Sequence, residues 1–216
     1  MKRFFRHNSL SLVLLVLFAA TLFGGQYLAG FRVHNDELRR HGQMGLSHRD
    51  YLFSAHFAEA TFENWESEFF QMGVFVYLTV FFFQKGSAES NDPDERAGKG
   101  ARKPNSRSPW PVRKGGWWLR LYEHSLSLTL LGLFIACFIG HVLSGARLEN
   151  QQRALQGEAS QRVGEFICSS QFWFESFQNW QSEFLSIAAM VLLTVVLREK
   201  GSPESKDVAT PHAEHD

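Results

Sequence analysis

The chain writes one phrase twice. "FENWESEFF" runs from Phe62 to Phe70, and "FQNWQSEFL" from Phe177 to Leu185. An apolar run precedes each, "NSLSLVLLVLF" at 8–18 and "HSLSLTLLGLF" at 124–134, and "QKGSAES" (84–90) or "EKGSPES" (199–205) follows. Phrases in one order at a near-constant offset mean that the whole unit is duplicated, which constrains the fold before any local propensity does. The offset is 116 from Ser9 to Ser125 and 115 from Trp65 to Trp180. The two copies thus differ by one residue in length.

Each copy carries a run that water cannot host. Residues 9–31 hold no charge, and 125–146 hold only one ionisable core group, His141, before Arg147. At 1.5 Å rise per residue, about 20 such residues cross a bilayer as a helix. Two shorter uncharged runs, Phe69–Phe83 and Phe184–Leu197, reach across if Trp65 and Trp180 sit at the interface. The expected spans are therefore about 9–31, 65–83, 125–146 and 180–197. A basic start followed by an apolar centre also fits a secretory signal. The matching run in mid-chain argues instead for a retained span.

Lys and Arg placement sets the orientation. Of 22 such residues, 15 lie in the N-terminus, in 84–124 and after 197, and the loops 32–68 and 144–183 carry four and three. Both ends and the centre are expected in the cytoplasm, so the halves run parallel across the membrane. The fold expected is an all-α integral membrane protein. Its four transmembrane helices form two parallel two-helix repeats, each with an outer amphipathic helix running into its second span. The domains expected are a first repeat (1–85), a flexible cytoplasmic linker (86–116), a second repeat (117–200) and a disordered tail (201–216). The linker and tail are too polar to bury a core.

The first outer helix, expected from about Asp50, carries the one constellation that resembles a ligand set. His56, Glu59, Glu63 and Glu66 are spaced by three, four and three residues, within an arc of about 80°. Imidazole and carboxylates on one helix face can hold a divalent metal or pass protons. An acidic outward face on an amphipathic helix explains them as well. The second copy replaces them with Gln171, Phe174, Gln178 and Gln181. Both copies keep Asn64/Asn179, Trp65/Trp180, Ser67/Ser182, Glu68/Glu183 and Phe69/Phe184. These read as structural, fixing where each second helix enters the bilayer. His141, aligned with Gly25, is expected to reach the headgroups. His34, His41 and His48 lie in a loop as a weak metal hint, and Cys137 and Cys168 need not pair. No phosphate loop, nucleophile elbow or zinc-protease motif occurs, and no catalytic residue is assigned.

"SLSLVLLVLF", "HFAEATFENWESEFFQMGVFVYLTV" and "QKGSAES" resemble an uncharacterised family of bacterial membrane proteins, domain of unknown function 6766. The second copy departs from the pattern at Gln178 and Gln181. The resemblance implies a bacterial inner-membrane protein without assigned activity. The expected function is non-enzymatic: an envelope scaffold or binder of another membrane protein, with no cofactor. The alternatives are a small channel or carrier, or metal or proton handling on the first outer helix. Expected partners are the lipid bilayer, another membrane protein or a second copy; equal numbers of acidic and basic residues give no argument for nucleic acid.

Overall fold

A computed structural model describes residues 2–91 and 104–210, with side chains from residue 4 onward. Every regular element among these residues is helical. α1 (Lys2–His7) leads into a continuous rod made of α2 (Ser9–Ala19), a π-helical segment (Ala20–Tyr27) and α3 (Leu28–Arg40). α4 (His48–Leu52) and α5 (Ala55–Leu78) follow. Then come α6 (Trp110–Lys114), α7 (Gly116–Glu123), α8 (Ser125–Gln156), α9 (Val163–Ile167) and α10 (Ser170–Val196).

Three helical stretches are long and apolar enough to cross a membrane: Ser9–Arg40 and Ser125–Gln156, each of 32 residues, and Ser170–Val196, of 27. A 32-residue helix is about 48 Å long, against an apolar bilayer core of about 30 Å. The two longest therefore carry polar ends well past the lipid core. Their apolar flanks lie open, Leu10 at 69% exposed and Ile139 at 52%, a surface suited to hydrocarbon and not to water. These features point to a membrane protein.

Several boundaries differ from the sequence reading. The helix expected from Asp50 starts at Ala55, because Ser54 Oγ accepts from the Phe57 amide (3.2 Å) and caps it, leaving α4 as a separate turn. α5 ends at Leu78, short of Phe83. His34 belongs to α3 and His48 opens α4, so the segment between is shorter than the loop expected. The expected linker and tail fall partly outside the described residues, at 92–103 and 211–216; the remainder of the linker holds α6 and the start of α7.

Between Ser9 and Asn35 the first run is one residue longer than its echo between Ser125 and Asn150. The π-helical segment lies inside this stretch. A π turn closes its hydrogen bonds one residue later than an α turn, so it takes up one extra residue without breaking the rod. Thr21 Oγ1 donates to the Leu17 or Phe18 carbonyl (2.9 and 3.0 Å) at the entry to that segment.

The described parts of the chain divide into two compact units. The first comprises Met1–Phe62 and Gly140–Phe172, and the second Glu63–Ile139 and Trp173–Asp216. In the first, Asn35 and Asn150 each clamp a returning loop. Asn35 Nδ2 donates to the Leu46 carbonyl (3.1 Å) while Oδ1 accepts from the Leu46 amide (2.6 Å). Asn150 does the same to Gln161 at 3.0 and 2.8 Å. Gly42 and Gly157 supply the positive φ (70° and 75°) that turns each loop. Close packing against α8 uses glycine as well: a Cβ on Gly140 would stand 2.6–2.8 Å from the Phe62 ring.

In the second unit, residues 84–91 and 199–206 adopt one local structure. Ser90 Oγ accepts from the Gln84 amide (2.8 Å), and Ser205 Oγ from the Glu199 amide (2.9 Å). Ser87 and Ser202 accept from the amides of Glu89 and Glu204 (3.1 and 3.2 Å). Gly86 and Gly201 sit at φ 90° and 84°. An aromatic group holds the apolar part of this unit, with Phe70 against Trp180, Phe134 and Phe184 at ring separations of 4.3, 5.1 and 5.9 Å.

Candidate functional site

Burial in this chain selects polar groups. Tyr51, His34, Asn35, Thr61 and His141 of the first unit are all under a tenth exposed. Such groups are costly to bury unless they find partners, so their placement carries information. Tyr51 is the centre. It projects from α4 against Gly30, where any Cβ would run into the phenol oxygen, so a small residue is required on α3. Its ring packs at 5.8 Å from Tyr27, Phe57 and His56, and at 5.6 Å from Phe31. Burial, and then the neighbouring Tyr27, push the Tyr51 phenol up to about 12. It therefore stays O–H and faces His56 Nδ1 at 3.1 Å.

His56 lies beside His34, with ring centres 4.6 Å apart. Burial lowers the pKa of His56 below the usual imidazole value, as does a charge on His34, while Glu37 opposes both. The two rings thus form a buried imidazole pair beside the Tyr51 phenol. His48 turns elsewhere, stacking on Phe31 at 4.0 Å and meeting the Tyr27 hydroxyl at 3.1 Å. His41 Nδ1 lies 3.0 Å from the Glu37 carbonyl. The three histidines spaced by seven are thus not gathered.

The four candidate ligands are distributed between the units. His56 and Glu59 belong to the first, where Glu59 Cγ lies 3.6 Å from the Cβ position of Gly145. A Glu59 carboxylate oxygen and a His141 ring nitrogen lie within 4.8 Å of each other. His141, expected to reach the headgroups, is fully buried, with its ring 4.9 Å from Phe172. Glu63 and Glu66 belong to the second unit. Glu63 Oε1 accepts from Asn179 Nδ2 at 2.6 Å, and Glu66 is 1% exposed.

The residues kept in both copies play unequal parts. Ser67 and Ser182 donate alike to the carbonyls of Asn64 and Asn179, at 2.8 and 2.9 Å. Yet Ser67 is buried and Ser182 exposed, while Asn64 is exposed and Asn179 half-buried. Trp65 and Trp180 are half-buried, Glu68 is exposed, Glu183 and Phe69 are half-buried, and Phe184 lies open. Cys137 and Cys168 are both free thiols.

Sequence reasoning had no signal for the Tyr51–His56–His34 cluster, whose members come from three helices without a motif spacing. One clue was available. Phe166 stands 115 positions after Tyr51, at the matching place in the second phrase, and is similarly buried, so the two buried rings differ by one hydroxyl.

No curated protein and no solved structure matches the chain. The profile of one family matches residues 1–216, the full length. The chain belongs to the family described as Domain of unknown function (DUF6766).

Proposed function

We propose that the protein is a non-enzymatic binder of another membrane protein in the bacterial inner membrane, built as two parallel two-span repeats. Both termini and the segment between repeats lie in the cytoplasm. The matched asparagine clamps, the matched serine–glycine loops and the π segment at the length difference support the duplication. The uncharged run continuing from α5 to Phe83 supports a fourth crossing.

One observation carries the binding role. Where the first copy has Glu59 and Phe62 packed near glycines of α8, the second copy presents Phe174 and Phe177, 64% and 56% exposed. Large aromatics at a helix end, next to half-buried Trp173 and Trp180, make a patch for a partner's apolar helix. Photo-crosslinking groups at 174 and 177 in native membranes are expected to trap one heterologous membrane protein. Recovery of self-contacts and lipid alone would refute the role. Cysteine labelling at residue 100 from the cytoplasmic side tests the topology independently.

A second reading rests on the proximity of Glu59 and His141. A carboxylate and an imidazole so placed can take part in holding a divalent cation or a proton. Metal content of detergent-purified protein, compared with Glu59→Ala, decides it; equal content in both removes this reading.

A further inference from the structure

Residues 110–120 hold three tryptophans and three cations, Trp110, Trp117 and Trp118 with Arg113, Lys114 and Arg120. They occupy α6 and α7, and His124 alone separates α7 from α8. Gly115 and Gly116 join the two short helices, both at positive φ (68° and 60°), where a side chain would be strained. Around this corner Trp110 and Trp118 come to a ring separation of 5.3 Å, at an interplanar angle of 60°. Lys114 Nζ lies 4.8 and 4.7 Å from the two ring centres. The ammonium is thereby held at the level of the rings.

The aromatic face is uncovered. On α7, Trp117, Leu121, Trp118 and Tyr122 fall within an arc of about 140°, and Arg120 lies about 60° beyond Trp117. All five are exposed, Trp117 at 69%, whereas Leu119 on the other side is half-buried. Arg113, Lys114 and Arg120 are exposed and make no ion pair among the described residues. From 104 to 124 the one acidic side chain is Glu123. Continuity with α8 decides what meets this face. α8 is long and apolar enough to cross a membrane, so a helix joined to its first turn lies near the lipid–water boundary. Indole and phenol rings favour that depth, and cations without carboxylate partners there meet phosphate.

We propose that α6 and α7 form a binding surface for anionic phospholipid headgroups, with Arg113, Lys114 and Arg120 on the phosphates and the tryptophan rings at the base of the headgroup layer. The surface is separate from the aromatic patch on α10 and does not depend on the partner-binding role.

The test uses the full chain in phosphatidylcholine nanodiscs that carry a minor fraction of brominated lipid, either phosphatidylglycerol or phosphatidylcholine, and reads tryptophan quenching. One basic residue at an anionic surface is worth about a fivefold gain in affinity, so a preference of at least about fivefold for phosphatidylglycerol is expected from three. Added salt should weaken it. Trp117→Leu/Trp118→Leu is expected to remove the preferential quenching, which assigns it to this face. Arg113→Gln/Lys114→Gln/Arg120→Gln, all at exposed positions, is expected to keep the fold and bring the two lipids to near equality. Arg113→Lys/Arg120→Lys should retain most of the preference. The charge-matched Lys85→Gln/Lys200→Gln/Lys206→Gln should leave it unchanged. Four results overturn the proposal: equal quenching by both lipids, a preference that survives in the folded triple variant, an equal loss in the charge-matched one, or no quenching that depends on Trp117 and Trp118, as when a protein or a second copy covers the face.

Discussion

Asn35→Ala is expected to destabilise the protein by about 1–3 kcal/mol. Asn35 is 4% exposed and makes two hydrogen bonds to one residue, Leu46, at 3.1 and 2.6 Å. A buried intramolecular hydrogen bond contributes about 0.5–1.5 kcal/mol net, and two such bonds set the range. Removing the side chain also leaves both backbone groups of half-buried Leu46 to find new partners. Asn35→Asp keeps the acceptor facing the Leu46 amide and loses the donor, so about half of the cost is expected. Asn150→Ala, at a half-buried position with bonds of 3.0 and 2.8 Å, should fall in the lower part of the same range. Reversible unfolding in mixed micelles, followed by circular dichroism, measures all three. A loss below about 0.5 kcal/mol in Asn35→Ala, or equal losses for Ala and Asp, would refute this account of the clamp.

Four further outcomes follow from the geometry. Burial, then a hydrogen bond to Glu204 and that residue's charge, raise the pKa of Glu89 above the ordinary carboxylate value of 4.5. Its contribution to stability is full below that value and lost as pH rises through the raised one, so the pH-dependence of melting in that window should flatten in Glu89→Gln. His56 has the opposite sign: its lowered pKa favours the neutral ring, so stability present above 6.5 should be lost as pH falls through the folded value, and His56→Phe should remove that slope. Gly140→Ala places a methyl 2.6–2.8 Å from the Phe62 ring and should cost about 1–3 kcal/mol, less when combined with Phe62→Leu in a double-mutant cycle. Deleting Gly25 should convert Ala20–Tyr27 from π to α-helix with less than about 1 kcal/mol lost, read by unfolding and by backbone amide chemical shifts.

Charge-free runs made the membrane-length helices legible, because no alternative to a helix satisfies backbone groups in lipid. Gly42, Gly86, Gly157 and Gly201 all take positive φ, a backbone region that glycine enters without steric cost. Helix starts were read less well. Ser54 ends one helix and begins another, and a single capping hydroxyl inside an amphipathic stripe is indistinguishable from a surface serine. The site was the least visible part. Helical spacing on α5 proposes His56, Glu59, Glu63 and Glu66 as neighbours. Tertiary packing gives His56 to Tyr51 and His34, which lie five and 22 positions away along the chain. A one-helix period cannot encode which other helix comes to face it. The burial of His141 was not legible for the same reason: it depends on Phe172, 31 positions away.

The π segment has an evolutionary corollary. In a straight α-helix, one added residue swings every later side chain by about 100° around the axis, turning an interior face toward lipid. Widening a single turn confines that rotation, so Gly30, Phe31 and His34 keep their bearing on Tyr51 while the strand of sequence before them changes length. Such a turn is a tolerance joint: it lets a membrane-length helix change by one residue in its middle and still deliver the same chemistry at the far end.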